Sequence, residues 1–455
     1  MEDRLRIIRY NTGTDKKAIV HFKRCFDAII FNATIVAHSG ASIADLVSMH
    51  KRKYIIDPQT HILQQDITAI TSNNKQDGDI KNSVLRYLSK LPDALSSIIT
   101  SQRRPLTISE IEPHIDSLVN SVYNFQTTYV QEHIEKKDYD KYLKFAKLEP
   151  EPRLVIAPYF VIKNKYSEDE IDSWLKLNHE ALQKTIKLNK ERGNLYPVAA
   201  QIVLDKAVLI SEGFTFKIKC TYECENYEYI FIWVDDFNTF ETEIRYMKAF
   251  SDLLAALNSI GKKPLMAYGG YESIILCNSG SPYRLYGVAQ SVGYGEYRPI
   301  TPVGGGMPVN KYYFFPLHQR MRFDEALAIL TDQGYFSMEK SNKEHADDYY
   351  NYICDCNQCR TVIGQDIDNF IKYNESIPFK ITTKNGIISR NRPTPYAELI
   401  AAFHFLYCKD NEWRQVFTKT YDQLIKELIE NYKLYLPEKA QQIVEWCKVY
   451  GRKDN

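Results

Sequence analysis

YEYIFIWVDDF (227–237), FETEIRYMKAFSDLLAALNSIG (240–261) and KPLMAYGG (263–270) follow one another as strand, helix and strand, and this unit decides the fold. The first and third pieces are short and apolar without polar alternation, which marks strands covered on both faces. Strands of that kind, alternating with helices, belong to a parallel sheet. The same rhythm runs outward in both directions. Upstream lie AIIFNATIVAH (28–38), KYIIDPQTH (53–61), RLVIAPYF (153–160) and LYPVAAQIVL (195–204). Downstream lie YRLYGVAQSVGYGE (283–296) and KYYFFPLHQ (311–319). Eight such segments, most of them followed by a helix, predict an α/β fold of the (β/α)8 TIM-like barrel type. A doubly wound open sheet is the alternative, but no G-x-G-x-x-G follows the first strand.

Two departures from the rhythm define the rest of the organisation. Between about 65 and 150 the chain is polar, with apolar residues at three-to-four spacing, so a helical insertion interrupts the barrel after its second strand. Beyond about 340 the pattern changes to a cysteine cluster, a hairpin in FKITTKNGIIS with Asn385–Gly386 as its turn, and C-terminal helices. The expected domains are therefore 1–340, the barrel with its insertion, and 341–455, a zinc-binding subdomain with helices. At 455 residues the chain is long enough for that arrangement. A net charge of +1 argues against a uniformly basic nucleic-acid coat but leaves room for a local basic groove. No apolar run reaches the ~20 residues of a membrane helix, and MEDRLRIIRYNTG lacks the apolar stretch of a secretory signal. Scattered single cysteines in apolar segments suit reduced thiols, so the expected location is cytoplasmic, without a membrane partner.

NYICDCNQCRTVIG (351–364) holds Cys354, Cys356 and Cys359 within six positions. Closely spaced thiolates on a tight turn supply several ligands of a tetrahedral Zn2+ site, and a fourth is then required. His404 in ELIAAFHFLYCKD is the best candidate, with Cys408 one turn later in reserve. Four protein ligands would fill the coordination shell, so the expected zinc is structural rather than catalytic. Free thiols on a loop are the bland alternative.

In a parallel barrel, chemistry sits where the C-terminal ends of the strands meet the following loops. Asp57 ends YIIDPQTH, with His61 nearby. Asp235 and Asp236 end FIWVDD, Glu272 follows Gly269–Gly270–Tyr271, and Glu296 follows Gly293–Tyr294–Gly295. Carboxylates converging on one mouth suit nucleophilic or general-base work, although each one alone could be a helix cap. Gly269–Gly270 and Gly304–Gly306 permit close backbone approach to a ligand, or serve as ordinary turns. Gln201 lies in an otherwise apolar strand, where a buried amide either reads a base edge or satisfies the backbone. His318, with Arg320 and Arg322, ends the last expected strand in a cationic group that could hold phosphate or open a solvated helix.

A barrel followed by C-x-C-x2-C, and then by a helix with His in H-F-L-Y, resembles the tRNA-guanine transglycosylase superfamily. CDCNQC resembles its zinc motif, with His404 on the helix of the fourth ligand. YIIDPQTH is similar to its second-strand motif, which implies that Asp57 is a general base or base-contacting carboxylate. VAAQIV resembles the segment whose Gln reads the base, which implies that role for Gln201, and YGGYE resembles a glycine pair lining the base pocket. The resemblance spans about 28–410. It implies an enzyme, a pentosyltransferase that replaces guanine in nucleic acid with a 7-deazaguanine such as 7-cyano-7-deazaguanine, through an Asp-linked covalent intermediate. LVIAPYF lacks the family's third-strand Asp, and KYYFFPLHQ lacks its late-strand nucleophile, leaving Asp235 or Asp236 to supply one. With the long insertion, these differences look more like the divergent branch that modifies DNA, so DNA is expected before tRNA. The competing expectation is a catalytically degenerate barrel that binds nucleic acid or acts as a scaffold, beside other subunits of a modification or defence system.

Overall fold

The computed structural model describes residues 4–451, apart from 12, 23–24, 51–52, 136–149, 224–225, 239, 293–295, 302–308 and 384–385. Gly293–Gly295 and Gly304–Gly306 therefore lie outside the described residues. Nine strands form one parallel sheet: β1 (Leu5–Tyr10), β2 (Ala28–Asn32), β3 (Lys53–Asp57), β4 (Val155–Ile156), β5 (Val161–Ile162), β6 (Val198–Leu204), β7 (Tyr229–Val234), β8 (Lys263–Met266) and β9 (Gly287–Ser291). Their order is β3-β2-β1-β9-β8-β7-β6-β4, with β5 also beside β6. The two ends of this order meet through a parallel bridge between Tyr54 and Pro152. There the Tyr54 amide donates to the Glu151 carbonyl and the Arg153 amide to the Tyr54 carbonyl, at 3.3 and 2.7 Å. With β4 and β5 sharing one position, the sheet is a nearly closed barrel of eight parallel strands.

Both faces of these strands are apolar because both are covered. Leu5, Ile7, Ala28, Ile30, Ile55, Ala199, Val203, Phe231, Trp233, Leu265 and Ala289 fill the barrel interior. Their neighbours Ile8, Ile29, Ile56, Ile202, Ile232 and Val288 belong to the core between sheet and helices. Gly287 closes the seam between β9 and β1, where a Cβ would fall 2.4 Å from the Leu5 carbonyl oxygen.

The barrel is the expected one, but the identity of its strands differs at both ends. The first strand is LRIIRY, an unexpected one because arginines interrupt its apolar pattern. Arg6 turns outward to an ion pair with Asp27, while Arg9 is buried. KYYFFPLHQ is not a barrel strand. Its residues Lys311–Phe314 (β10) pair antiparallel with Gln319–Arg322 (β11), forming a separate hairpin packed on the helix Pro395–Thr418. Tyr312, Tyr313 and Phe314 are fully buried in that packing, which gives the segment the composition of a core strand. RLVIAPYF holds only the short β4, which stops before Pro158, a residue with no amide to donate, and β5 follows just beyond the segment. In AIIFNATIVAH the strand stops at Asn32, and a helix runs from Ala33 to His50.

The described part of the insertion is helical as expected, with the long helix Ile115–Glu135 as its largest element; 136–149 lie outside the described residues. The C-terminal region carries the ribbon β12 (Ser376–Thr383) and β13 (Gly386–Pro393), and the helices Asn357–Ile363, Pro395–Thr418, Tyr421–Tyr435 and Pro437–Tyr450. The ribbon pairs Thr383 with Gly386; of the expected Asn385–Gly386 turn, Asn385 lies outside the described residues. One continuous core runs from the barrel into these helices: Trp413 Nε1 donates to Gln290 of β9, and the Tyr450 hydroxyl to the Met247 carbonyl. Among the described residues, no helix is long and apolar enough to cross a membrane.

Candidate active site and metal centre

The C-terminal mouth of the barrel carries a buried ion pair. Arg9 from β1 and Asp57 from β3 both point inward and are fully buried. Arg9 Nη1 lies 3.4 Å from Asp57 Oδ2 and donates to Asn32 Oδ1 at 2.9 Å. Nη2 donates to the Ala267 carbonyl at 2.9 Å, and the guanidinium stacks over Tyr268 at 4.0 Å. The other Asp57 oxygen accepts from the Tyr159 hydroxyl at 2.7 Å and from the Gln59 amide at 3.1 Å. Burial and the Asp57 charge push the Tyr159 phenol well above its usual pKa, so it remains a donor. Its single proton goes to Asp57, so His61 Nδ1, at 3.1 Å, must donate to the phenol oxygen. Burial lowers the His61 pKa to about 4, so that imidazole is neutral at pH 7.

Above this layer the segment 298–300 crosses the mouth. Trp233 Nε1 donates to the Arg298 carbonyl at 2.9 Å, and the Ile300 amide donates to Asp235 Oδ1 at 2.6 Å. Asp235 also opens on a cavity of about 390 Å³ lined by Gln64, Lys163, Lys165, Asp205 and Thr301. Burial raises the Asp235 pKa despite the Ile300 hydrogen bond. Asp236 is exposed, with a left-handed φ of 43°. Below the mouth, Gln201 of β6 sits between Ala199 and Val203, inside the barrel. It is 2% exposed, and neither its Nε2 nor its Oε1 has a protein partner. Arg9 Nε and the Tyr268 hydroxyl are likewise buried without one.

Glu272 and Glu296 do not join this ring. They meet on the flank between the barrel and the C-terminal helices. A Cβ on Gly270 would lie 2.5 Å from Glu272 Oε2, 2.7 Å from the Tyr297 hydroxyl and 2.8 Å from Glu296 Oε2, so all three converge on one point. Gly270 donates its amide to Glu272 Oε1 at 2.9 Å, and Tyr297 donates to Oε2 at 3.0 Å. Burial, and then the charge of Glu296, push the Glu272 pKa up to about 7. A Cβ at Gly269 would crowd Ser273 and Val288, so that glycine serves close packing. Lys409 bridges Glu296 and Glu412, at 3.0 Å to each. His318 sits in the β10–β11 turn. Its Nδ1 lies 2.9 Å from Glu412 Oε1 and its ring stacks on Tyr271. Burial lowers the His318 pKa, so it is a neutral member of this network. Arg322 is exposed beside Asp324.

The cysteine cluster closes as expected. Cys356 caps the helix Asn357–Ile363 and accepts from the Cys359 amide. His404, across the ribbon in sequence, brings its Nδ1 to 3.3, 3.4 and 4.0 Å from the sulfurs of Cys359, Cys356 and Cys354. All four ligand atoms lie within 4.8 Å of one another. A tetrahedral ion with bonds of about 2.3 Å to sulfur and 2.0 Å to nitrogen would set N···S at about 3.5 Å. Nε2 of His404 donates to the Tyr313 carbonyl at 2.7 Å, which leaves the Nδ1 lone pair facing the thiols. The cluster could therefore hold a metal ion. Cys408 is a fifth neighbour, its sulfur 3.6 Å from His404 Nδ1 and 3.9 Å from Cys354 Sγ. The hydroxyls of Tyr349, Tyr373 and Tyr312 surround Cys359 Sγ at 3.4, 3.5 and 3.7 Å.

Arg9, Tyr159, Tyr297, Tyr313, Lys409 and Glu412 all belong to these sites without having been expected there. Lys409 and Glu412 carried a signal, since both are charged residues on the otherwise apolar helix face that presents His404 and Cys408. No family model matches the chain, and no curated protein matches it.

Proposed function

We propose that the chain is a base-exchange transglycosylase that replaces guanine in nucleic acid, DNA before tRNA, with a 7-deazaguanine such as 7-cyano-7-deazaguanine. The observation that carries this reading is the unpartnered amide of Gln201 inside the barrel. Its donor and acceptor match the paired acceptor and donor on a guanine edge. Asp235 supports it from the rim. It stands at the end of β7, on a cavity of nucleobase size, and faces Lys163 and Lys165. Asp235 attacks C1′ of the target nucleotide, the C1′–N9 bond breaks, and guanine leaves with the electron pair and takes up a proton at N9. The deazaguanine then gives its N9 proton to solvent water, which replaces the one guanine took from solvent on leaving, attacks C1′ and releases the carboxylate. Asp57, held by Arg9 and Tyr159, is a fixed carboxylate for orienting the base, and Asp236 is a bystander.

The metal in this reading is Zn2+ held by Cys354, Cys356, Cys359 and His404, a structural ion remote from the reacting atoms. The buried thiols Cys277 and Cys447, which form no disulfide, support a reducing, cytoplasmic compartment.

Incubation of labelled 7-cyano-7-deazaguanine with duplex DNA and with tRNA tests the reaction. Label should enter DNA, a denaturation-resistant adduct should map to Asp235, and Asp235→Ala should lose at least about 1,000-fold in rate. Label in neither nucleic acid defeats the proposal. The second reading, a degenerate barrel that binds nucleic acid or acts as a scaffold, draws on the segment 298–300. That backbone engages both Trp233 and Asp235 across the mouth. Binding of nucleic acid without any exchange is its signature.

A further inference from the structure

The ribbon β12–β13 projects from the C-terminal region with every described side chain between Ser376 and Arg392 exposed. It lies between the metal-ligating Cys359 and His404. Its base is fastened by the Thr394 amide donating to the Glu375 carbonyl and by Asn310 donating to Asn374. An isolated two-stranded ribbon is only marginally stable in water, so one that shows bare apolar side chains calls for a partner. Ile387 is 69% exposed, Ile388 43% and Phe379 40%.

Its composition identifies the partner. Residues 376–393 contain Lys380, Lys384, Arg390 and Arg392 and no Asp or Glu, in a chain whose net charge is only +1. Cross-strand neighbours share a face. Phe379 is paired with Arg390 and Ile377 with Arg392, so two guanidiniums flank an aromatic ring on one side of the ribbon. Arg392 lies over Phe379 at 5.0 Å. Lys380 stands on the opposite face, so the positive charge wraps the ribbon. Eight residues at about 3.3 Å each give a blade about 26 Å long. A two-stranded ribbon fits the ~12 Å major groove of B-DNA, whereas the deep, narrow groove of A-form RNA does not admit one.

We infer that β12–β13 is a DNA-binding blade that enters the major groove of a B-form duplex. Its cationic side chains contact phosphates and base edges, and Phe379 contacts sugars or thymine methyl groups. Only the choice of DNA as the natural duplex rests on the function proposed above; the charge and the shape of the ribbon do not.

The test measures binding of the metal-loaded, full-length protein to a 30-base-pair random DNA duplex by fluorescence anisotropy, across a salt series. The variants are Lys380→Ala/Arg390→Ala/Arg392→Ala and, separately, Phe379→Ala. All four side chains are exposed, so metal content and melting temperature should stay at the wild-type values and report that the fold is intact. The triple variant should bind at least about 30-fold more weakly at 100 mM salt, and its log Kd–log salt slope should fall by about 0.9 for each of the three cations that contacts a phosphate, at most about 2.7. Phe379→Ala should weaken binding several-fold with the slope unchanged. Wild-type affinity and slope in the triple variant overturn the inference. So does preference of the wild type for an RNA duplex, or a wild type that ignores DNA and uses the ribbon to bind a protein. Exchange that fails while ribbon-dependent DNA binding persists would remove the proposed reaction and leave the blade. Exchange into DNA that is unimpaired in the triple variant would remove the blade and leave the reaction.

Discussion

The imidazole of His404 and the backbone of Tyr313 are joined by a 2.7 Å hydrogen bond, and the phenol of the same tyrosine donates to Glu412 and accepts from Lys409. Tyr313 thereby links two polar centres in an otherwise apolar region, the thiol cluster and the carboxylate network around Gly270. The helix Pro395–Thr418 contributes to both, with His404 and Cys408 on one side of the junction and Lys409 and Glu412 on the other. Whatever fixes His404 also fixes the position of Lys409 against Glu296 on the barrel.

Metal occupancy should discriminate between the fourth ligand and its neighbour. His404 has its ring held by Tyr313 and its Nδ1 within 4.0 Å of all three sulfurs, whereas Cys408 is a thiol at the edge of the cluster, 3.9 Å from Cys354 Sγ and 3.6 Å from His404 Nδ1. Metal analysis of the purified protein should find about one zinc per chain. Cys408→Ser should retain it, and His404→Ala should lose it, with a fall in melting temperature. Equal metal content in the two variants would contradict the assignment of His404.

Glu272 should make stability depend on pH in an identifiable window. Its folded-state pKa is raised from 4.5 to about 7, first by burial and then by Glu296, while Tyr297 and the Gly270 amide oppose the rise. The folded state therefore holds the proton more tightly than the unfolded chain does. That contribution is complete below pH 4.5 and is lost as the pH rises to about 7. Glu272→Gln keeps an acceptor for the Gly270 amide and cannot ionise. Relative to this variant, the wild type should lose about 3 kcal/mol between pH 4.5 and 7. Urea unfolding across that range reads the difference, and parallel pH profiles would show that Glu272 titrates normally.

Gly270→Ala should destabilise the flank directly. The new methyl meets two carboxylate oxygens and a phenol, each closer than 3.0 Å, and all three groups are held by other partners. Overpacking of this kind costs about 1–3 kcal/mol. A melting temperature equal to the wild type's would mean that Glu272 and Glu296 are free to move aside.

The barrel was legible in the sequence because strands covered on both faces leave continuous apolar runs. The Cys354–Cys356–Cys359 part of the candidate metal site was legible because its three thiols are local. Other features were hidden by causes that are physical. Tyr312, Tyr313 and Phe314 imitate a barrel strand, since a hairpin buried by helices is as apolar as a sheet interior. LRIIRY was hidden by Arg9, whose charge inside the barrel meets partners distant in sequence: Asp57, 48 residues away, Asn32 and the Ala267 carbonyl. Glu272 and Glu296 do follow barrel strands, as read. No local pattern, however, shows that Lys409, more than 100 residues later, draws Glu296 away from the mouth and toward the C-terminal helices.

Arg9 and Asp57 should behave as a coupled pair, and the coupling tests whether the mouth is a built polar site or an accident of packing. Removal of one partner leaves the other charged and buried, a loss of about 3–5 kcal/mol. Arg9→Met keeps the bulk of the side chain but strands the carboxylate with only Tyr159 and the Gln59 amide. Asp57→Asn keeps an acceptor for Tyr159 and leaves Arg9 with Asn32 and the Ala267 carbonyl. Each single variant should therefore be clearly destabilised, Arg9→Met the more so. The double variant should be less destabilised than the sum of the two, by at least about 1 kcal/mol, because neither charge is then left alone. Chemical denaturation of all four proteins at pH 7 supplies the cycle. Additive effects would mean that the 3.4 Å separation carries no energetic coupling, and that Asp57 is held by its hydrogen bonds from Tyr159 and Gln59 alone.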